Sequence, residues 1–213
     1  MTRLFRPLGL DELALIWDSG CREFPPRLPD QPIFYPVTSA EYAIQIARDW
    51  NTKSSSYGGY VTSFDVDDAY LSKFDRHVVG SAVHQEYWIP AKELPNFNQA
   101  IRGWIEVDAA FFGAWFLGFI PDEAGLSGKN AEEQFVILAR SRDSSPTAFS
   151  LEISINRKAV YLNCLFWLEH DFTAYDIDQN LKTATLAETI ESWNHRRIEP
   201  ALPAAFTSTV LRS

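Results

Sequence analysis

Glu86 has the surroundings best suited to chemistry. In the run His84-Gln85-Glu86-Tyr87-Trp88-Ile89-Pro90 a carboxylate stands between aromatics, in a segment that otherwise reads as a buried strand. Side chains alternate along a strand, so His84, Glu86 and Trp88 share one face, and Val83, Gln85, Tyr87 and Ile89 the other. Pro90 brings no N–H to a ladder and is expected to end the pairing. A carboxylate beside Trp88 and His84 is partly desolvated and within reach of a titratable partner, the setting in which charge-stabilising chemistry is found. The alternative is an edge-strand glutamate that faces water.

The elements that must position this residue are readable in outline. Residues 4–6 form a short first strand with Arg6 at its end, and Pro7 to Gly9 turn out of it. A helix over 10–19 follows, closed by Gly20. The stretch 22–32 contains Pro25, Pro26, Pro29 and Pro32 and cannot be regular structure, so it is a stiff connector or a loop that closes over a ligand. Residues 33–37 are a short apolar strand, and Thr38-Ser39-Ala40-Glu41 has capping-box form with Thr38 at the N-cap. The helix it opens runs to about Trp50, with Ala43 and Ala47 permitting close packing. Residues 51–60 are the most flexible-looking segment. Strands are expected at 61–66 and 104–109, a helical turn at 67–74 and a short turn at 97–101.

Beyond Gly113 the texture changes. A helix over 130–141 precedes the clearest hairpin signal in the chain, an alternating strand at 149–155 and a second at 159–168 about a tight turn at Asn156-Arg157. Phe149, Leu151, Ile153 and Ile155 share one face of the first strand, and Val160, Leu162, Cys164, Phe166 and Leu168 one face of the second. The last helix, over 181–195, carries the stripe Leu186, Ile190, Trp193 and is closed by residues 200–203. The reading is an α+β chain of two domains: 1–113 with a mixed or antiparallel β core and flanking helices, and 114–213 as a small α-β-β-α unit, without internal repeats.

Composition narrows the function. With 213 residues, 46% of them hydrophobic, and 7 Trp and 15 Phe, the chain can line cores or pockets with rings. A formal charge of −9 argues against general binding to a nucleic-acid backbone, while a local arginine pair could still hold a small anionic ligand such as a dinucleotide. Cys21 and Cys164 form no CxxC, which fits two buried thiols in a reducing compartment and leaves a disulfide between them open. The first residues lack the apolar run of a signal peptide and no stretch has the length of a membrane span, so a cytoplasmic protein is expected. The histidines and cysteines show no metal-ligand spacing, and Glu169, His170, Asp171, Asp176 and Asp178 lack the EF-hand pattern and read as a solvated acidic loop.

The order of the motifs in the first half, an Arg6 strand, an aromatic strand running into a capped helix (Phe34, Tyr35, Thr38, Ser39), and a late strand with Glu86 before Pro90, resembles the layout of ADP-ribosyltransferases. More closely, the runs Phe24-Pro25-Pro26-Arg27-Leu28-Pro29, Ile33-Phe34-Tyr35-Pro36, Ala47-Arg48-Asp49-Trp50-Asn51 and Glu86-Tyr87-Trp88-Ile89-Pro90-Ala91 are similar to a small family of bacterial proteins catalogued under an ADP-ribosylation/crystallin label. The likeness covers roughly residues 3–112. It implies an ADP-ribosyltransferase-like core, NAD as substrate, and transfer of ADP-ribose to an acceptor. It further implies that Glu86 holds the ribose and its developing positive charge, that Arg6 contacts the NAD phosphate or ribose, that Tyr35 stacks on nicotinamide, and that Thr38 or Ser39 braces Glu86. His84 falls where many transferases keep a Gln or Glu that orients the acceptor. That departure leaves the acceptor open.

A rival from another class is a non-catalytic, immunity-type binding protein that uses the same scaffold and an acidic surface to hold a protein partner. A third is a phosphate-transfer or NAD-sensing relative of the same fold.

Overall fold

The longest pairing in the molecule is antiparallel, β1 (Thr2–Gly9) against β3 (Gly58–Val66) and β3 against β7 (Ile101–Phe112). The computed structural model describes residues 1–80, 84–142 and 144–212. It divides into two compact units, Met1–Ala114 and Trp115–Ser213, one residue from the expected boundary. The chain is α+β, and among the described residues its strands lie in the first unit.

β1 is longer than the expected 4–6 and runs straight through Pro7. Phe5 turns its N–H and C=O away from β3 to pair with Val37, and Pro7, two residues on, places its missing N–H on that same outer side, where no β3 bond is lost. β1 feeds α1 (Leu10–Asp18), which Gly20 terminates at φ +74°, as expected for a C′ glycine. The flexible-looking stretch 51–60 is instead ordered as a 3-10 turn, Asn51–Lys53, leading into β3.

β3 is buried along almost its whole length because both faces are covered. On one face lies α2 (Ala40–Asp49), whose Tyr42, Ala43 and Ala47 pack on Val37 and Val61. Gly59 permits this approach: a Cβ there would stand 2.0 Å from the Ala47 carbonyl oxygen. On the other face Phe24, Phe34, Phe64 and Phe97 form a chain of tilted and edge-on rings with centroids 4.8–6.0 Å apart.

A second antiparallel layer extends the sheet beyond β1. β2 (Ile33–Phe34) pairs with β6 (Ile89–Pro90), and Val37 bridges Phe5 on one side and Glu86 of β5 (Gln85–Tyr87) on the other. The register is continuous, so Tyr35 stands opposite Trp88, and Pro90 takes part in the pairing rather than ending it. β5 pairs in turn with β4 (Arg76–Val78), setting His77 opposite Glu86. Val83, expected on the reverse face, lies outside the described residues. A short α3 (Asp68–Leu71) fills the expected helical turn, and the segment expected as a turn at 97–101 is part of α4 (Leu94–Ala100), with Pro95 in its first turn where its missing N–H costs nothing.

The second unit overturns the expected hairpin. Its described elements are helices: α5 (Ala131–Arg142), α6 (Pro146–Ile155), α7 (Arg157–Glu169), α8 (Gln179–His195) and α9 (Ala204–Val210). In α6 the buried residues are Phe149 and Ile153, one helical turn apart, while Leu151 and Ile155 are each 47% exposed; the apparent alternation mixed two faces of a helix. α7 is buried nearly all round from Ala159 to Leu165 because it is the core of a bundle, which erases the helical period. Its 13 residues exceed an ordinary strand. The missed signal was Ser145-Pro146, an N-cap whose hydroxyl accepts from Ala148 N–H, followed by proline at the first helical position. α8 buries the expected stripe Leu186, Ile190 and Trp193, but α9 follows it.

Within this unit Asn163 and Gln134, both fully buried, tie the irregular segment at Phe119, a strap that leads towards α5, to α5 and α7. Asn163 accepts from Phe119 N–H (2.8 Å) and donates to the Phe119 carbonyl (2.9 Å) and to Gln134 (2.9 Å), and Gln134 donates to the Phe119 and Lys129 carbonyls. Cys21 in the first unit and Cys164 in the second are buried thiols, and burial pushes the Cys164 thiol well above its ordinary range. Among the described residues no helix is long and apolar enough to cross a membrane.

Candidate functional site

Direct partners across an antiparallel sheet project from the same face, so Phe5, Val37, Glu86 and His77 line up on the side covered by α2. Tyr35 and Trp88, each two residues from a member of that row, fall on the same side. The packing agrees. Glu86 is only 9% exposed, and one carboxylate oxygen accepts from the Trp88 indole N–H at 2.8 Å. Trp88 stacks on His77 (4.3 Å) and meets the Tyr35 ring edge-on at 6.0 Å, while His84 stacks on Tyr42 of α2 at 4.2 Å. Burial, and then the nearby Glu86 charge, push the Tyr42 phenol up.

This cluster is a fixed carboxylate in a ring-lined setting. With Tyr35 at 38% and Trp88 at 41% exposure, its outer wall reaches solvent. An anion in such a place, with one oxygen already oriented, suits a cation or a centre that becomes positive.

Three residues expected around Glu86 do other work. Arg6 follows Phe5 and therefore projects from the opposite face, over the Phe34 ring (4.7 Å). There its guanidinium grips Glu12 in a fork, Nε to Oε1 at 2.8 Å and the terminal nitrogen to Oε2 at 3.1 Å, with a longer bond to the Tyr35 carbonyl (3.4 Å). Thr38 does not cap α2. Its hydroxyl donates to the Gln85 carbonyl at 3.4 Å, and the cap is Ser39, which accepts from Tyr42 N–H at 3.1 Å. The reason is register: Thr38 N–H also bonds the Gln85 carbonyl, which keeps Thr38 in the extended segment and moves the cap one residue on. The donor that braces Glu86 is Trp88.

Sequence reasoning missed His77 and the pair Glu12 and Arg27. His77 reaches Glu86 only through the β4–β5 pairing, for which a three-residue exposed strand leaves little periodic signal. Arg27 lies 3.6 Å from Glu12 and hydrogen-bonds Gln31, and burial together with the Arg6 charge lowers its pKa. Its position in a proline-rich run was legible, but its inward turn was not.

The acidic residues near 170 are used locally. Asp171 accepts from Thr173 N–H, Asp178 caps α8 at 2.8 Å, and His170 pairs with Glu132 at 3.1 Å.

No protein-family model, no curated protein and no solved structure matches the chain.

Proposed function

We propose that the first unit binds a positively charged ring or ribosyl centre at Glu86, and that the ligand is NAD, whose ADP-ribose is transferred to an acceptor. The observation that carries this reading is the buried Glu86 carboxylate, held by Trp88 and walled by Tyr35, Tyr42, His77 and His84. Breaking the nicotinamide glycosidic bond leaves its electron pair on neutral nicotinamide and an oxocarbenium-like ribose, the charge that a carboxylate beside the sugar stabilises. The acceptor's nucleophile then forms the new bond and loses its proton. Glu86 faces the developing charge, Tyr35 and Trp88 hold the cationic ring, and His84 occupies the position from which an acceptor is oriented. Calorimetric titration with NAD, paired with an assay of nicotinamide release, tests it. The wild type is expected to bind and release nicotinamide, and Glu86→Gln to weaken binding by about tenfold or more, in line with loss of a buried charge contact. Wild type that neither binds at millimolar NAD nor releases nicotinamide contradicts it.

One observation favours the non-catalytic binding protein as the second reading: Arg6, the residue that the resemblance gives to the phosphate, is already neutralised by Glu12 on the opposite face.

A further inference from the structure

The proline-rich loop turns two side chains inward. Phe24 enters the ring core and is fixed by Asn98, which accepts from the Phe24 N–H (3.0 Å) and donates to its carbonyl (2.9 Å). Arg27, three residues on, lies against Glu12, while its neighbours Pro26, Leu28, Pro29 and Asp30 are exposed. Two guanidinium groups thus face one carboxylate, a local excess of one positive charge. Arg6 takes both Glu12 oxygens, so Arg27 is left at 3.6 Å, and its Nε is buried with no hydrogen-bond partner among the described residues. A buried donor without a partner is costly and calls for a reason.

We propose that Arg27 is an oxyanion site of the phosphate class, on the Glu12 side of the sheet and separate from the Glu86 cluster. An oxyanion that displaces the Gln31 side chain would meet the Arg27 fork in the planar, two-point geometry that guanidinium offers phosphate. The prolines on either side restrict the backbone that carries Arg27, so less freedom is lost on binding.

Calorimetry with inorganic pyrophosphate on the whole protein reads this site without NAD. The wild type is expected to bind, Arg27→Gln to bind about tenfold or more weakly, Arg27→Lys to fall between, and Glu86→Gln to match the wild type. No binding by the wild type at millimolar pyrophosphate overturns the proposal whatever the variants do, and equal binding by wild type and Arg27→Gln overturns it as well. Arg27-dependent pyrophosphate binding in a protein that ignores NAD upholds the anion site and removes the NAD reading. Glu86-dependent NAD binding with no pyrophosphate binding does the reverse.

Discussion

Two buried polar clusters, one in the first unit and one in the second, are built in opposite ways. In the second, Asn163 and Gln134 are fully buried and every amide hydrogen of both finds an acceptor, two of them in the Phe119 strap. In the first, among the described residues, the Arg27 Nε has no partner, three charges share one small cluster, and Glu86 accepts one indole N–H. A closed network does nothing beyond fixing the chain that it ties, because no donor is left for a ligand. Open ones are where a fold has left interactions unmade.

The comparison breaks most visibly at Asn163. Asn163→Ala leaves the Phe119 N–H without its acceptor and the Gln134 oxygen without its donor, and is expected to cost about 3–5 kcal/mol in urea unfolding. A cost below about 1 kcal/mol would mean that the strap is held by packing instead. The arginines separate next. Arg6→Ala removes the two-point grip on Glu12 and leaves it only the longer Arg27 contact, and is expected to cost about 2–3 kcal/mol, whereas Arg27→Met leaves that grip in place and should stay within about 1 kcal/mol of the wild type. Equal losses would place Arg27 among the structural groups. The smallest contrast is at the head of α2: Ser39→Ala should lower stability by about 1 kcal/mol and Thr38→Ala by less than about 0.5 kcal/mol, read from the same unfolding curves.

Strict alternation was enough to put His84, Glu86 and Trp88 on one face, and the Gly20 stop and the α8 stripe were equally plain, because each rests on a local period or a local cap. The helical pair α6 and α7 was misread as a hairpin for physical reasons: α7, buried nearly all round, has no polar face to set its period, and in α6 the exposed apolar Leu151 and Ile155 alternate with the buried Phe149 and Ile153. Thr38 and Ser39 were exchanged because both can cap, and only the long-range bond from Thr38 N–H to Gln85 decides between them. The side of the sheet on which Arg6 lies was not legible for a related reason. Its parity relative to Glu86 depends on Val37 bridging Phe5, a register that no local signal fixes. His77 and Arg27 came into view only when strands and loop were paired in space.

Glu86 is proposed to make a site for positive charge. Calorimetric titration of the whole protein with 1-methylnicotinamide, a cationic ring, beside neutral nicotinamide tests it most directly. Saturable binding of the cation is expected, at least about tenfold tighter than nicotinamide and reduced to the neutral level in Glu86→Gln. Equal binding of the two rings, or cation binding that Glu86→Gln leaves unchanged, would contradict it.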